Sequence, residues 1–235
     1  MKLEFEFLLE KNNFRKKYVG DLDFQNIVIL SGKNGVGKST FLKCIAGFET
    51  AMQGYLKLNA VYLLNTTAKI KVPPYQRNIG YCFQEPVLLP NLTIEKNILF
   101  SLNKENILIS PLHLVSKFKL NYLLTKYPEQ LSGGEKQKIS FLRTIFRKNQ
   151  ILLMDEPFSS LDEESKYHFA NFTKEFSEMY NIPIVFVTHN KEEIKLLSNI
   201  IITIPDGSED IFLTIAENKN YFRSIYDYKR DAYKL

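Results

Sequence analysis

Gly32-Lys33-Asn34-Gly35-Val36-Gly37-Lys38-Ser39 stands between a short apolar run at 27–30 and a helical pattern at 40–46. It fits the pattern G-x-x-x-x-G-K-[S/T], and the spacing has a physical sense. Gly35 and Gly37 let the backbone turn back on itself, so that successive N–H groups face inward toward anionic oxygens. Lys38 then reaches the terminal phosphates of a nucleoside triphosphate and Ser39 offers a hydroxyl to Mg²⁺. The helix that follows aims the positive end of its dipole at the same phosphates. Gly47 is placed to close that helix as a C-cap. A glycine-rich turn with a chance lysine would not need strand, loop, helix and cap in this order. Residues Gly32, Lys33, Asn34, Gly35, Val36, Gly37, Lys38, Ser39 and Thr40 are therefore the candidate nucleotide site.

A second stretch, Leu131-Ser132-Gly133-Gly134-Glu135, precedes a helical pattern running to about residue 148. Ser132 and Glu135 form the S-x-x-E of a capping box. Gly133 and Gly134 are poor choices for a first helical turn, costing about 1 kcal/mol each relative to alanine. Close approach of an anion to the bare N–H groups of that terminus is the simplest reason for them. Further on, the apolar run at 151–154 ends in Asp155-Glu156. A continuous apolar run predicts a strand buried on both faces of a parallel sheet, and ligands of such sheets bind at the carboxyl ends of strands. Asp155 suits Mg²⁺, and Glu156 suits a general base for an attacking water.

With these residues in place, the chain resembles the ATP-binding cassette family over residues 1–205. Leu131 to Gln137, LSGGEKQ, is similar to the family's signature motif. Residues 151–156 resemble Walker B with its glutamate, Ser159-Ser160-Leu161-Asp162 the D-loop, and Phe186-Val187-Thr188-His189 the switch-histidine strand. Gln84, in Ile79-Gly80-Tyr81-Cys82-Phe83-Gln84, falls where the family places its Q-loop glutamine. The resemblance implies an α/β fold: a phosphate-loop, RecA-like ATPase core at 1–85 and 149–205 with a small antiparallel β-subdomain, an inserted α-helical signature subdomain at 86–148, and a short tail at 206–235. It also implies that two such domains, as a homodimer or paired subunits, meet head to tail around two ATP molecules. Ser132, Gly133 and Gly134 would then face the nucleotide held by the partner. Lys38, Glu156, His189 and Gln84 would serve catalysis, and Ser39, Gln84 and Asp155 would serve Mg²⁺. Asp162 would link the two sites. Division of the site makes hydrolysis conditional on closure. Further implied partners are integral membrane permease subunits and, indirectly, a solute-binding protein, with the chain peripheral on the cytoplasmic face of the membrane.

Composition agrees with one compact chain. At 235 residues and 45% hydrophobic content a full core can be buried. No 18-residue apolar stretch exists, and Leu3, Phe5 and Phe7 alternate with Lys2, Glu4 and Glu6 as in a strand, not a signal peptide. Cys44 and Cys82 have no metal spacing and read as buried thiols of a reducing compartment. His113 and His168 read as structural or surface residues. The net charge of +5 gathers at residues 11–17 and 229–234. These short clusters read first as solvated surface, with contact to anionic lipid headgroups as the weaker reading, and do not form a nucleic-acid recognition module.

Thr93 is predicted to cap a helix at 94–102, Pro111 to start another, and Pro205-Asp206-Gly207 to form a turn. The tail beyond it is too short for a β-barrel regulatory domain. Residues 3–32 and 75–100 are similar to the ATPases of molybdate-type oxyanion importers, which implies a molybdate- or tungstate-like cargo. Two departures from the family pattern stand out. Lys138 occupies a position where arginine is usual, losing the planar fork. The aromatic residue that stacks on adenine is not placed, Phe14 and Tyr18 being the nearest candidates, with core packing the expected job of each. A soluble cassette ATPase would need a long coiled-coil insertion or two cassettes in one chain. A small-molecule kinase would not explain LSGGEKQ.

Overall fold

The computed structural model describes residues 1–11, 14–100, 102, 107–198, 200–204, 206 and 210–214. In chain order the elements are β1 (Lys2–Lys11), β2 (Phe14–Asp23), β3 (Ile27–Ser31), α1 (Lys38–Ala46), β4 (Gln53–Leu58), β5 (Val61–Asn65), β6 (Ile70–Lys71), β7 (Ile79–Cys82), α2 (Ile94–Leu99), α3 (Pro111–Lys117), α4 (Gly133–Ile145), β8 (Ile151–Asp155), α5 (Glu163–Tyr180), β9 (Ile184–Val187), α6 (Lys191–Leu197), β10 (Ile201–Thr203) and β11 (Asp210–Thr214). They gather into two compact units, one of Met1–Arg77 with Val187–Leu235 and one of Asn78–Phe186.

In the first unit the period-two pattern of the amino terminus does what alternation dictates. Leu3, Phe5, Phe7 and Leu9 are buried while their neighbours face outward, and β1 pairs antiparallel with β2 in the register Leu3↔Leu22 to Leu8↔Lys17. The resulting sheet has the order β11-β2-β1-β4-β5-β6. Residues 206–235, read from sequence as a tail, contribute β11, which lies parallel to β2 with Ile211 opposite Tyr18. Ile211 and Leu213 are fully buried, so their alternation drives this strand into the sheet. The turn residues Pro205 and Gly207 and the basic stretch at 229–234 lie outside the described residues, as does the side chain of Phe14. Of the amino-terminal basic cluster, Lys17 is paired with Glu6 at 2.7 Å.

Helix α1 packs its Phe41 among the rings of Phe5, Phe7 and Tyr18, with centroid separations of 5.0, 6.2 and 5.3 Å. It ends at Gly47, whose φ of 88° allows Phe48 N–H to reach the Lys43 carbonyl at 2.8 Å. The buried guanidinium of Arg77 donates from Nη1 to the carbonyls of Cys44 and Ile45 at 2.8 and 2.7 Å, from Nε to Val72 at 2.8 Å and from Nη2 to Leu63 at 3.4 Å. It places a positive charge at the negative end of α1. A side chain at position 47 would meet that guanidinium at 2.7 Å. Strands β3 and β10 form a parallel pair with Ile29 opposite Ile201.

In the second unit β7 and β8 are parallel, Ile79 opposite Ile151, and β9 lies on the other side of β8. Residues 151–155 are all buried, as expected of a strand covered on both faces. Phe141, Phe158 and Phe169 join α4, the loop after β8 and α5 through ring contacts of 5.3 to 6.0 Å. Helix α2 stops at Leu99, short of the expected 102, because Leu102 N–H turns to the Leu99 carbonyl three residues back. Helix α4 stops at Ile145 instead of about 148. The Asn149 amide donates to the Thr144 and Arg147 carbonyls at 3.2 and 3.0 Å, ending the helix with a side-chain cap. Cys44 and Cys82 are buried thiols as expected, each pushed up to about 12 by burial. His113 and His168 are exposed, the latter 3.7 Å from Glu164. No helix among the described residues is long and apolar enough to cross a membrane.

Candidate functional site

The phosphate loop belongs to the first unit. Gly35 and Gly37 have φ of 79° and 106°, a left-handed backbone that a residue with a Cβ adopts only under strain. A Cβ at Gly35 would have nothing within 4 Å, so the glycine answers to conformation and not to crowding. The ammonium of Lys38 donates to the carbonyls of Gly32 and Lys33 at 2.7 and 2.9 Å, folding the side chain back over the loop. Helix α1 starts at Lys38 with no side-chain cap and no acidic residue in its first turn. Lys33, Asn34 and Gly35 are exposed, Ser39 and Thr40 half-buried. A helix start without a capping side chain or an acidic residue in its first turn, led into by an exposed glycine loop, has the chemistry that suits an anion such as a phosphate.

His189, in the same unit, is exposed at the end of β9. Its neighbours are fixed. Thr188 Oγ1 donates to the buried carboxylate of Glu193 at 2.6 Å and accepts from Asn190 N–H at 3.0 Å, while the Asn190 side chain caps α6. Glu193 was not singled out from the sequence. Its position three residues after Asn190, inside a helix start, was the available signal.

In the second unit the glycine-containing helix start forms as expected. Ser132 Oγ accepts from Glu135 N–H at 3.2 Å, and the Glu135 carboxylate accepts from Ser132 N–H at 2.8 Å. Tyr122 donates to the other Glu135 oxygen at 2.8 Å. The Ser132 N–H, then the hydroxyl of Tyr122, hold the Glu135 carboxyl below its ordinary value. Ser132 and Gly133 are exposed, and a Cβ at Gly133 would meet nothing within 4 Å.

The carboxyl end of β8 carries Asp155, buried, with Oδ2 accepting from the Tyr81 hydroxyl at 3.1 Å. Glu156 follows with φ of 45°, a left-handed conformation held by a non-glycine residue, the kind of local strain that gathers at functional positions. Its Oε2 accepts from the Gln84 amide at 3.1 Å. Behind both lies Gln137 of α4, 1% exposed. Its amide nitrogen faces the carbonyls of Gln84 and Glu156, each at 3.4 Å, and Ser159 Oγ at 3.1 Å. Its oxygen accepts from Ser160 N–H at 2.7 Å. One buried amide thus joins the segments of Gln84, Glu156 and Ser159-Ser160. Sequence reading had Gln137 only as a letter of a motif, although an uncharged polar residue on the buried face of α4 was a visible anomaly. Asp162 caps α5 through Ser165 N–H at 2.8 Å.

The structure thus brings together Gln84, Asp155 and Glu156 with Gln137 in the second unit, and places Gly32 to Thr40 and His189 in the first. Tyr18 is fully buried between Phe7 and Phe41, so it packs the core and presents no open ring face to a base. Among the described residues no group of three His, Cys, Asp or Glu could hold a metal ion. Of the residues expected to serve Mg²⁺, Ser39 belongs to the first unit and Gln84 and Asp155 to the second.

The sequence pattern of the family described as ABC transporter matches residues 18–159. The molybdenum import ATP-binding protein ModC of Haemophilus ducreyi is 36% identical over 186 residues, covering 78% of this chain and 52% of that protein. The protein of the same name from Vibrio parahaemolyticus is 33% identical over 211 residues, covering 88% and 55%. The chain spans about half the length of these curated relatives. Among solved structures, the dimeric post-hydrolysis state of the ATP-binding cassette MJ0796 bound to ADP and Pi superposes with a TM-score of 0.71 over 95% of this chain and 99% of that one, at 21% identity. That likeness concerns the fold.

Proposed function

We propose, since this chain belongs to the ABC transporter family, that it is the ATP-hydrolysing, nucleotide-binding subunit of an importer whose cargo is an oxyanion such as molybdate or tungstate. The observation that carries the nucleotide part is the helix start of α1, which has neither capping side chain nor first-turn carboxylate and follows a left-handed glycine loop. The cargo part is supported by relatives at 33 to 36% identity named for molybdenum import.

In this reading the N–H groups of residues 32–40 and the Lys38 ammonium bind the triphosphate. Ser39 and Asp155 supply oxygens to Mg²⁺, which neutralises charge developing on the transferred phosphoryl group. Glu156 accepts the proton of the attacking water, and His189 orients that water and the terminal phosphate. Gln84, hydrogen-bonded to Glu156 and exposed, is placed to report on Mg²⁺ and on a permease. Ser132, Gly133 and Gly134 offer a second anion-binding helix start, open to a nucleotide carried by a paired subunit. Residues 86–148 form the lobe that faces a permease, and the chain works as a peripheral subunit on the cytoplasmic face of the membrane.

The test is a pull-down of tagged protein from detergent-solubilised native membranes, read by mass spectrometry. Recovery of a multi-span permease and a solute-binding protein is expected, and calorimetry of that binding protein should register molybdate or tungstate. Recovery of soluble partners alone overturns the transport role. A binding protein that ignores both oxyanions overturns the cargo.

A further inference from the structure

His189 leaves β9 between two residues that a small ring of hydrogen bonds holds in place. Thr188 is 4% exposed and turns its hydroxyl inward, where Oγ1 donates to the Glu193 carboxylate at 2.6 Å and accepts from the N–H of Asn190 at 3.0 Å. With its proton given to Glu193, the hydroxyl keeps its lone pairs for Asn190. A trans peptide is planar, so holding the Asn190 N–H also holds the His189–Asn190 peptide, one of the two that flank the His189 Cα. The other leads back through Thr188 to β9, whose residues are all buried. Asn190 Oδ1 closes the ring by accepting from the N–H groups of Glu192 and Glu193 at 2.9 and 3.1 Å. Glu193, 6% exposed, reaches back from α6 to make the bond to Thr188. Asn190 already caps that helix, so the helix start by itself does not call for a buried carboxylate, which is unfavourable unless hydrogen-bonded.

We propose that Thr188 and Glu193 are positioning residues for His189, their hydrogen bond fixing the turn that carries the imidazole before any nucleotide arrives. This rests on the reading of His189 as the group that orients the attacking water and the terminal phosphate. Both residues act on the nucleotide only through His189.

Thr188→Val keeps the shape of the side chain and removes the hydroxyl. Steady-state hydrolysis of ATP with Mg²⁺ should lose about tenfold in kcat with KM within about threefold, since a displaced orienting group disturbs attack more than binding. Thr188→Ser restores the hydroxyl and should return kcat to within about twofold of the parent. In a His189→Ala background, Thr188→Val should cause no further loss, because the group it positions is gone. A further loss as large as in the parent means that Thr188 supports the fold and not His189, and overturns the proposal. So does a lowered melting point with kcat unchanged. If His189→Ala lowers kcat and Thr188→Val does not, the proposal fails while the reading of His189 stands. If His189→Ala leaves kcat at the parent value, both fail. Should Thr188→Val not fold, or the isolated chain not turn over, the native chain decides. Its three histidines, labelled with nitrogen-15, give amide signals among which that of His189 is assigned by its loss in His189→Ala. An order parameter of about 0.85 at that amide without nucleotide supports a held turn, and one below about 0.6 overturns it.

Discussion

Replacing Arg77 by methionine should destabilise the chain far more than an ordinary loop substitution. Arg77 is 4% exposed, and its guanidinium donates to four backbone carbonyls. Two of these keep another donor, since Gly47 N–H reaches Cys44 and Val72 N–H reaches Leu63. The carbonyls of Ile45 and Val72 lose the one hydrogen bond seen to them among the described residues. A buried carbonyl left unpaired costs about 1–3 kcal/mol, and the positive charge at the carboxyl end of α1 contributes up to about 1 kcal/mol more. Methionine recovers part of this by filling similar volume, so the net loss is roughly 3–5 kcal/mol. For a chain of this size, 1 kcal/mol corresponds to about 2–4 °C, so the melting point should fall by roughly 10 °C. Urea titration followed by far-UV circular dichroism measures the loss directly. A change below about 1 kcal/mol would refute the reasoning, because it would mean that water reaches those carbonyls.

Three further outcomes follow. Glu156→Gln should bind ATP within about twofold of the parent and hydrolyse it at least 100-fold more slowly, since the base is lost while the phosphate loop is untouched; an equal turnover rate would remove Glu156 from the chemistry. Gln137→Met should lower kcat about 10- to 100-fold while leaving KM for ATP within about threefold, because displacing the Glu156 segment by a fraction of an ångström disturbs attack and not binding. Matching rise in KM alone would contradict this. The Glu135 carboxyl is depressed in the folded chain, so its stabilisation is complete above the ordinary value of 4.5 and is lost as pH falls below it. Melts of the parent from pH 6 to 3.5 should therefore fall more steeply than those of Glu135→Gln, and parallel curves would show that the capping carboxylate is not held.

Elements whose cause is local could be read in advance. The phosphate loop, the capping box at Ser132 and the buried strand ending in Asp155 each depend on neighbours within a few residues, and so did the alternation of Leu3, Phe5 and Phe7. Residues that act across distance were not legible. Arg77 looks like any loop arginine until α1 and β5 come within its reach. Glu156 was chosen for its carboxylate, and nothing in the sequence announced its left-handed backbone. Strand β11 escaped notice because its apolar residues, Ile211 and Leu213, are few and the strand it joins lies nearly two hundred residues upstream.

That last pairing bears on how the chain comes into being. The unit of Asn78–Phe186 is contiguous and can begin to fold as soon as it leaves the ribosome, whereas the unit that holds the phosphate loop is split and waits for its second portion. At translation speeds of about 5–20 residues per second, β2 exists for roughly 10–40 seconds before β11 is made. During that interval the strand's outer edge, from Lys17 to Asp21, is open to other chains. Charges there discourage the wrong partner while the right one is still being synthesised.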